Sequence, residues 1–319
     1  MEDLFQNFKA AVRLLKKTIP FIILQLGIYA TIAVLTIIYF CIMGGFAYLF
    51  KGGAALIFLI SFGTYFGVLY FIREYILYLV KAGHIYVLTY LYYHGTLPEN
   101  TNQVEFGKNM VKSQVKDISI LFGIDQIVKG VLRSLNRTVV RIADWLPIPG
   151  LDTVVSIIMK IINMSVTYVD EAILSYSLSK KDENPWISAK TGIVLYAQSY
   201  KKLLQSAILL GIIGFATFVI VLVIMMIPGG ILTKFFPKIG FFVGISILFA
   251  SYLIKLAVYN PLALTMMIIT YHKSIKDMVP NPDWEQKLDQ ISSKFRQLKE
   301  KASTWVKPVS EPSKGPSPS

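Results

Sequence analysis

Long uncharged runs set the pattern of this chain. Ile19 to Phe50, Gly52 to Ile72 and Leu203 to Thr233 contain no Asp, Glu, Lys or Arg, and Ile239 to Tyr271 is broken only by Lys255. Each run exceeds the roughly 20 apolar residues that cross a hydrocarbon core about 30 Å thick. The pattern predicts an all-α, polytopic integral membrane protein with four main crossings, paired as two helical hairpins. The first run is longer than the apolar region of a signal peptide, about 7 to 15 residues, and no small-residue cleavage site closes it. It is expected to remain in the mature protein.

The polar punctuation repeats. The offset that carries Lys16-Lys17 onto Lys201-Lys202 also carries Gly44-Gly45 onto Gly229-Gly230, Phe50 onto Phe235, Ile60-Ser61 onto Ile245-Ser246 and Tyr86 onto Tyr271. Any two membrane helices share Ile, Leu and Val, so only the paired lysines, paired glycines and isolated polar matches argue for a duplication. Orientation follows from Lys and Arg in the loops. They gather at Lys9, Arg13, Lys16 and Lys17, from Lys108 to Lys202, and at Lys273 and Lys276, while the outer turns hold only Lys51, Lys234 and Lys238. Both termini and the central segment are therefore expected on the cytoplasmic side of the plasma membrane. The hairpins are then parallel repeats, with the two Gly-Gly pairs at their far turns.

This divides the chain into an N-terminal cytoplasmic amphipathic helix (1–17), transmembrane hairpin 1 (18–95), a basic amphipathic or interfacial helical segment (96–200), transmembrane hairpin 2 (201–273), a separate cytoplasmic helix (274–306) and a disordered tail (307–319) rich in Pro, Ser, Lys and Gly. The return span Ala54 to Tyr93 is longer than a bilayer needs and reads as a crossing that continues into the cytoplasm. In the central segment Val104, Met110, Val111, Ile118, Ile127, Val131, Val139 and Ile142 are among apolar positions at three- and four-residue steps. Pro147 to Gly150 ends that helix. A second helix is expected from about Asp152 to Ser179, with its entry into the bilayer left open, and a third from Asn184-Pro185 to Lys201-Lys202.

Composition agrees with a lipid solvent: 54% of residues are hydrophobic and 16% charged, too apolar for an ordinary water-soluble domain. The formal charge of +13 points to anionic partners. One cysteine, Cys41, and three scattered histidines, His84, His94 and His272, argue against an intrachain disulfide, a thiolate cluster or a structural zinc site. Phosphate-cradle, HExxH, GxSxG and CxxC patterns are absent. Neither an enzyme nor a metal or cofactor site is expected.

Three constellations stand out. Lys129, Arg133, Arg137 and Arg141 place a basic residue at every fourth position, and Lys108, Lys112 and Lys116 form a shorter ladder before them. Like charges so spaced on a helix repel, so inner-leaflet headgroups, carboxylates such as Asp144, Asp170, Glu171 and Asp182, or a soluble polyanion must offset them. Arg73, Glu74, Lys81 and Lys255 put charge at depth, and Pro228 and Pro261 interrupt spans, which makes these six the pore or gate candidates. The alternative for the charges is pairing or snorkelling. Gly44, Gly45, Gly63, Gly67, Gly229 and Gly230 allow close helix packing within or between chains.

Four crossings are few for a monomeric transporter, so the leading expectation is an oligomeric gated ion channel or pore regulated by its basic cytoplasmic helices. An effector pore answering to an anionic nucleotide or oligonucleotide is a special case. The alternatives are a membrane-anchored scaffold or sensor that recruits a cytoplasmic protein, and a small-solute transporter.

Overall fold

The computed structural model of the chain describes residues 2–29, 31, 54–114, 118–144, 168–180, 184–235 and 240–305. Every regular element among them is a helix. These are α1 (Glu2–Lys17), α2 (Ile19–Tyr29), α3 (Ala54–His94), α4 (Gln103–Gln114), α5 (Ile118–Asp144), α6 (168–179), α7 (Pro185–Phe235), α8 (Gly240–Ile275), α9 (Pro282–Ile291) and α10 (Ser293–Thr304). The Gly44-Gly45 pair, Cys41, Lys51, Lys116, the Pro147 to Gly150 run, residues 152–167, Asp182, Lys238 and the 307–319 tail lie outside the described residues. So do the side chains of Arg73, Glu74, Val139, Arg141, Ile142 and Asp144.

The long helices have two unlike halves. α7 has 51 residues, about 76 Å at 1.5 Å per residue. Its first half buries Trp186, Ile193, Tyr196 and Leu203, whereas Ile212, Phe215, Val219, Ile220, Val223, Ile224, Met226, Ile227 and Ile231 are exposed beyond. Only 11% of its most apolar stretch is buried, so that stretch is not the core helix of a soluble body. α3 repeats the arrangement in the opposite sense: Leu56, Leu59 and Ile60 are exposed, and Ala82, Ile85, Val87 and Leu88 are buried. In α8, Leu248, Tyr252, Ile254 and Val258 are exposed, while the run from Ala263 to Tyr271 is buried.

Two described helices are long and apolar enough to cross a membrane, α7 and the Ile254–Ile275 part of α8. The second is 72% buried and belongs largely to the helical body.

That body is built where the inner halves meet. α7 and α8 share the most extensive contact. The Tyr259 hydroxyl donates to the Leu210 carbonyl at 2.6 Å, and its ring occupies the space above Gly214, where a Cβ would sit 2.8 Å away. The Tyr271 hydroxyl donates to the Gly192 carbonyl at 2.8 Å. α1 lays Ala11 and Leu14 into the body and packs on α8, where Asn7 donates to Thr270 Oγ1 at 3.4 Å. α3 and α4 touch through glycines: a Cβ on Gly107 would stand 2.7 Å from the Gly83 carbonyl oxygen and 2.9 Å from the Phe21 ring.

Four features depart from the sequence reading. Gly229-Gly230 is not a turn, because α7 continues through Pro228 and both glycines to Phe235. The surrounding Ile and Met offer no polar side chain to compete for the backbone, and Thr233 Oγ1 donates back to the Gly229 carbonyl at 2.9 Å. Pro261 likewise sits inside α8 without ending it, its carbonyl accepting from Thr265 Oγ1 at 2.7 Å. The helix that opens at Asn184-Pro185 does not stop at Lys201-Lys202 but runs on as the exposed apolar half of α7.

The fourth is that the C-terminal piece is neither separate nor one helix. Ser292 ends α9 and caps α10, accepting from the Phe295 amide at 3.3 Å. Such a cap contributes about 1 kcal/mol. The pair docks on α5 and α7 by burying Leu288, Phe295 and Leu298. Lys190 pairs with Glu285 at 3.0 Å, and Asn184 Nδ2 donates to the Ala302 carbonyl at 2.8 Å.

Candidate functional site: an ion cluster between α3, α5 and α6

The buried charges converge at one place. α6 carries Asp170 and Glu171, 1% and 3% exposed, although two adjacent carboxylates would ordinarily seek water. Lys81, in the inner half of α3, forms an ion pair with Glu171. Lys129, on α5, lies 2.6 Å from Asp125 Oδ2 one turn earlier and 3.5 Å from Asp170 Oδ2. Three helices distant in sequence are thus joined by two lysines and three carboxylates.

A buried ion pair is weak evidence of net stability, because desolvation offsets most of the attraction. It is strong evidence of arrangement, since removing one partner leaves the other bare. Among the described residues the cluster holds three carboxylates and two ammonium groups. Burial first, and the Asp125 charge second, raise the Asp170 pKa from 3.8 to about 7, against the opposing pull of Lys81 and Lys129. Burial thus favours the neutral carboxyl at Asp170. Its Oδ1 accepts from the Glu171 amide at 3.0 Å, but Oδ2 makes no hydrogen bond. The Tyr78 hydroxyl, buried and also without a hydrogen bond, lies in the field of Asp125 and Asp170.

Next to the cluster, α6 is held by a second chain, buried at Thr89, Ser175 and His272 and exposed at Tyr93. Thr89 Oγ1 donates to Ser175 Oγ at 3.0 Å, Ser175 Oγ lies 2.5 Å from His272 Nε2, and the Tyr93 hydroxyl lies 2.8 Å from His272 Nδ1. A serine hydrogen-bonded to a histidine resembles an activated nucleophile in outline. Ser175 is fully buried, which denies a substrate access. The chain ties α6 to α3 and α8.

The candidates read from sequence scatter around this cluster. Lys81 and Lys129 enter it, while Arg133 and Arg137 point to solvent on α5, and Lys108 and Lys112 are exposed on α4. The ladder is therefore split: its first member is offset by internal carboxylates and its next two remain available. Lys255 is 6% exposed, with its ammonium 4.5 Å from the Tyr259 ring centroid. That contact offsets part of the cost of burying the charge. Pro228 and Pro261 continue α7 and α8. Gly63, Gly67 and Gly230 have nothing within 4 Å of a built Cβ, so they pack against no part of the described chain, whereas Gly229 is buried within α7.

Asp125 was not among the candidates, although the Asp125/Lys129 spacing of one helical turn was readable. No group of three His, Cys, Asp or Glu side chains fit to hold a metal ion occurs among the described residues. Comparison with known protein families, with characterised proteins and with solved structures finds no match.

Proposed function

We propose that this chain is an integral membrane protein of the plasma membrane, with cytoplasmic termini and four crossings in two parallel hairpins. In an oligomer it forms a gated pathway for ions or small solutes. The outer halves of α3, α7 and α8 and the run from Ile19 to Phe50 supply the crossings. The inner halves, with α1, α4, α5, α6, α9 and α10, form the cytoplasmic body. Exposed apolar side chains around most of the outer half of α7 support this assignment, because in water so large an apolar surface would drive association.

The observation that carries the gating proposal is the continuity of α3 from an exposed apolar half to an inner half ion-paired through Lys81 and Glu171. A rigid helix of that kind transmits a shift of the basic body to the crossing region. The proposal separates two roles within the basic ladder: Lys129 holds the body together, and Arg133 and Arg137 meet an anionic lipid or polyanionic ligand. Single-channel recording in planar bilayers tests permeation. Discrete currents support it, and silence of verified, inserted protein at all voltages contradicts it.

A scaffold or sensor is the second reading, and Lys255 favours it. The Tyr259 ring gives the Lys255 ammonium a contact within its own helix that does not depend on a water-filled pathway. Retention of a cytoplasmic partner on membranes, without current, is the outcome expected of that reading.

A further inference from the structure

A cleft of about 300 Å³ opens where α1 meets α3 and α8, away from the ion cluster. Its charged lining is cationic throughout: Arg13 and Lys17 from successive turns of α1, and Lys273 from the end of α8. Leu14, Leu91 and Tyr92 supply apolar and aromatic wall. Neutral oxygens hold the two lysines in place. Lys17 Nζ donates to the Gly95 carbonyl at 2.8 Å, and Lys273 Nζ to Asn7 Oδ1 at 2.7 Å, with Asn7 itself anchored on Thr270.

None of the three cations forms an ion pair among the described residues, and Arg13 has no hydrogen-bond partner there. Their charges gather around an open volume with no carboxylate in its lining. Two positive side chains one turn apart repel unless an anion lies between them. The cleft also adjoins the start of exposed apolar surface, since Ile19, two residues after Lys17, is 47% exposed.

We infer that this cleft binds the phosphate of a phosphomonoester, carried by an anionic lipid headgroup or by a soluble ester. The Arg13 guanidinium offers a planar fork that matches two phosphate oxygens, and the two held ammonium groups act as point charges. The apolar wall receives the glycerol or acyl portion. A basic pocket between helices on the cytoplasmic side is where such headgroups are met. This site is distinct from the Arg133 and Arg137 face and does not depend on whether the protein conducts.

Thermal-shift titration of the full chain in neutral detergent tests it, with dioleoyl phosphatidic acid, dioleoyl phosphatidylcholine and glycerol 3-phosphate as probes. Saturable stabilisation by phosphatidic acid and none by phosphatidylcholine is expected. Arg13→Gln should weaken it about tenfold, the loss typical of one charge-assisted hydrogen bond. Lys17→Gln should weaken it too, whereas the exposed pair Lys201→Gln/Lys202→Gln, outside the cleft, should leave it unchanged. Glycerol 3-phosphate acting alone at the same site identifies a soluble ester as ligand; its failure beside phosphatidic acid binding identifies the lipid. Equal effects of the two lipids, equal loss in the Lys201/Lys202 variant, or unchanged binding in Arg13→Gln would overturn the inference.

Discussion

Lys81 on α3 and Glu171 on α6 form an ion pair whose two halves are unequally wet: the lysine side chain is 36% exposed and the glutamate 3%. Removing the lysine strands a buried carboxylate, which at full burial costs about 3 to 5 kcal/mol and less here because water reaches the lysine side. Removing the carboxylate lets the lysine turn outward. Lys81→Met is therefore expected to lower the melting temperature in detergent more than Glu171→Gln, and the double variant should recover part of the loss. Equal single losses with strict additivity would contradict the pairing.

Asp170 makes the cluster sensitive to pH. Its proton is held at about 7 when folded against an ordinary 3.8, so the folded chain binds that proton more tightly than the unfolded one. A group of this kind stabilises the fold below its ordinary value, and that contribution is lost as pH rises through the folded value, from about 4 to 7. Asp125, Glu171, Lys81, Lys129 and Tyr78 face it and remain in Asp170→Asn. The stability of wild type minus that of Asp170→Asn should fall across this window and level off above it. Chemical denaturation at several pH values reads the difference, and a rise with pH would refute the assignment.

The glycines divide into two groups. A Cβ on Gly107 would meet the Gly83 carbonyl oxygen at 2.7 Å, a backbone atom that cannot swing away. Gly107→Ala should destabilise by about 1 to 3 kcal/mol through overpacking. Gly63→Ala and Gly67→Ala, inside α3 with nothing within 4 Å, should not destabilise the protomer, since helix propensity favours alanine there by up to about 1 kcal/mol. Melting temperatures of the three variants separate the cases, and loss at Gly67 equal to that at Gly107 would contradict the packing described.

Lys255 is expected to be structural. With its ammonium over the Tyr259 ring, Lys255→Met should leave unitary conductance and ion selectivity as in wild type. A changed selectivity would place the lysine in the pathway.

The helical class was legible in the sequence because apolar runs of this length have few soluble alternatives, and exposed Ile220, Val223 and Ile227 fit that reading. The long-range partners were not. Nothing local in α3 says that Lys81 will face Glu171, because the contact depends on how three helices cross. Asp125 and Lys129 do carry a local signal, one turn apart, but the run of cations after Lys129 points as readily to headgroups or a polyanion as to a carboxylate. Gly229-Gly230 departs from its sequence reading for a different reason: a helix lined with Ile and Met carries the pair without turning.

Single-channel recording of purified wild type and Glu171→Gln, in planar bilayers with insertion verified, addresses the central claim most directly. The account predicts discrete currents in wild type and an altered open fraction at unchanged unitary conductance in Glu171→Gln, because the ion pair holds the inner half of α3 and does not line the pathway. Wild-type protein that inserts and passes no current at any voltage, with or without phosphatidic acid, would contradict it.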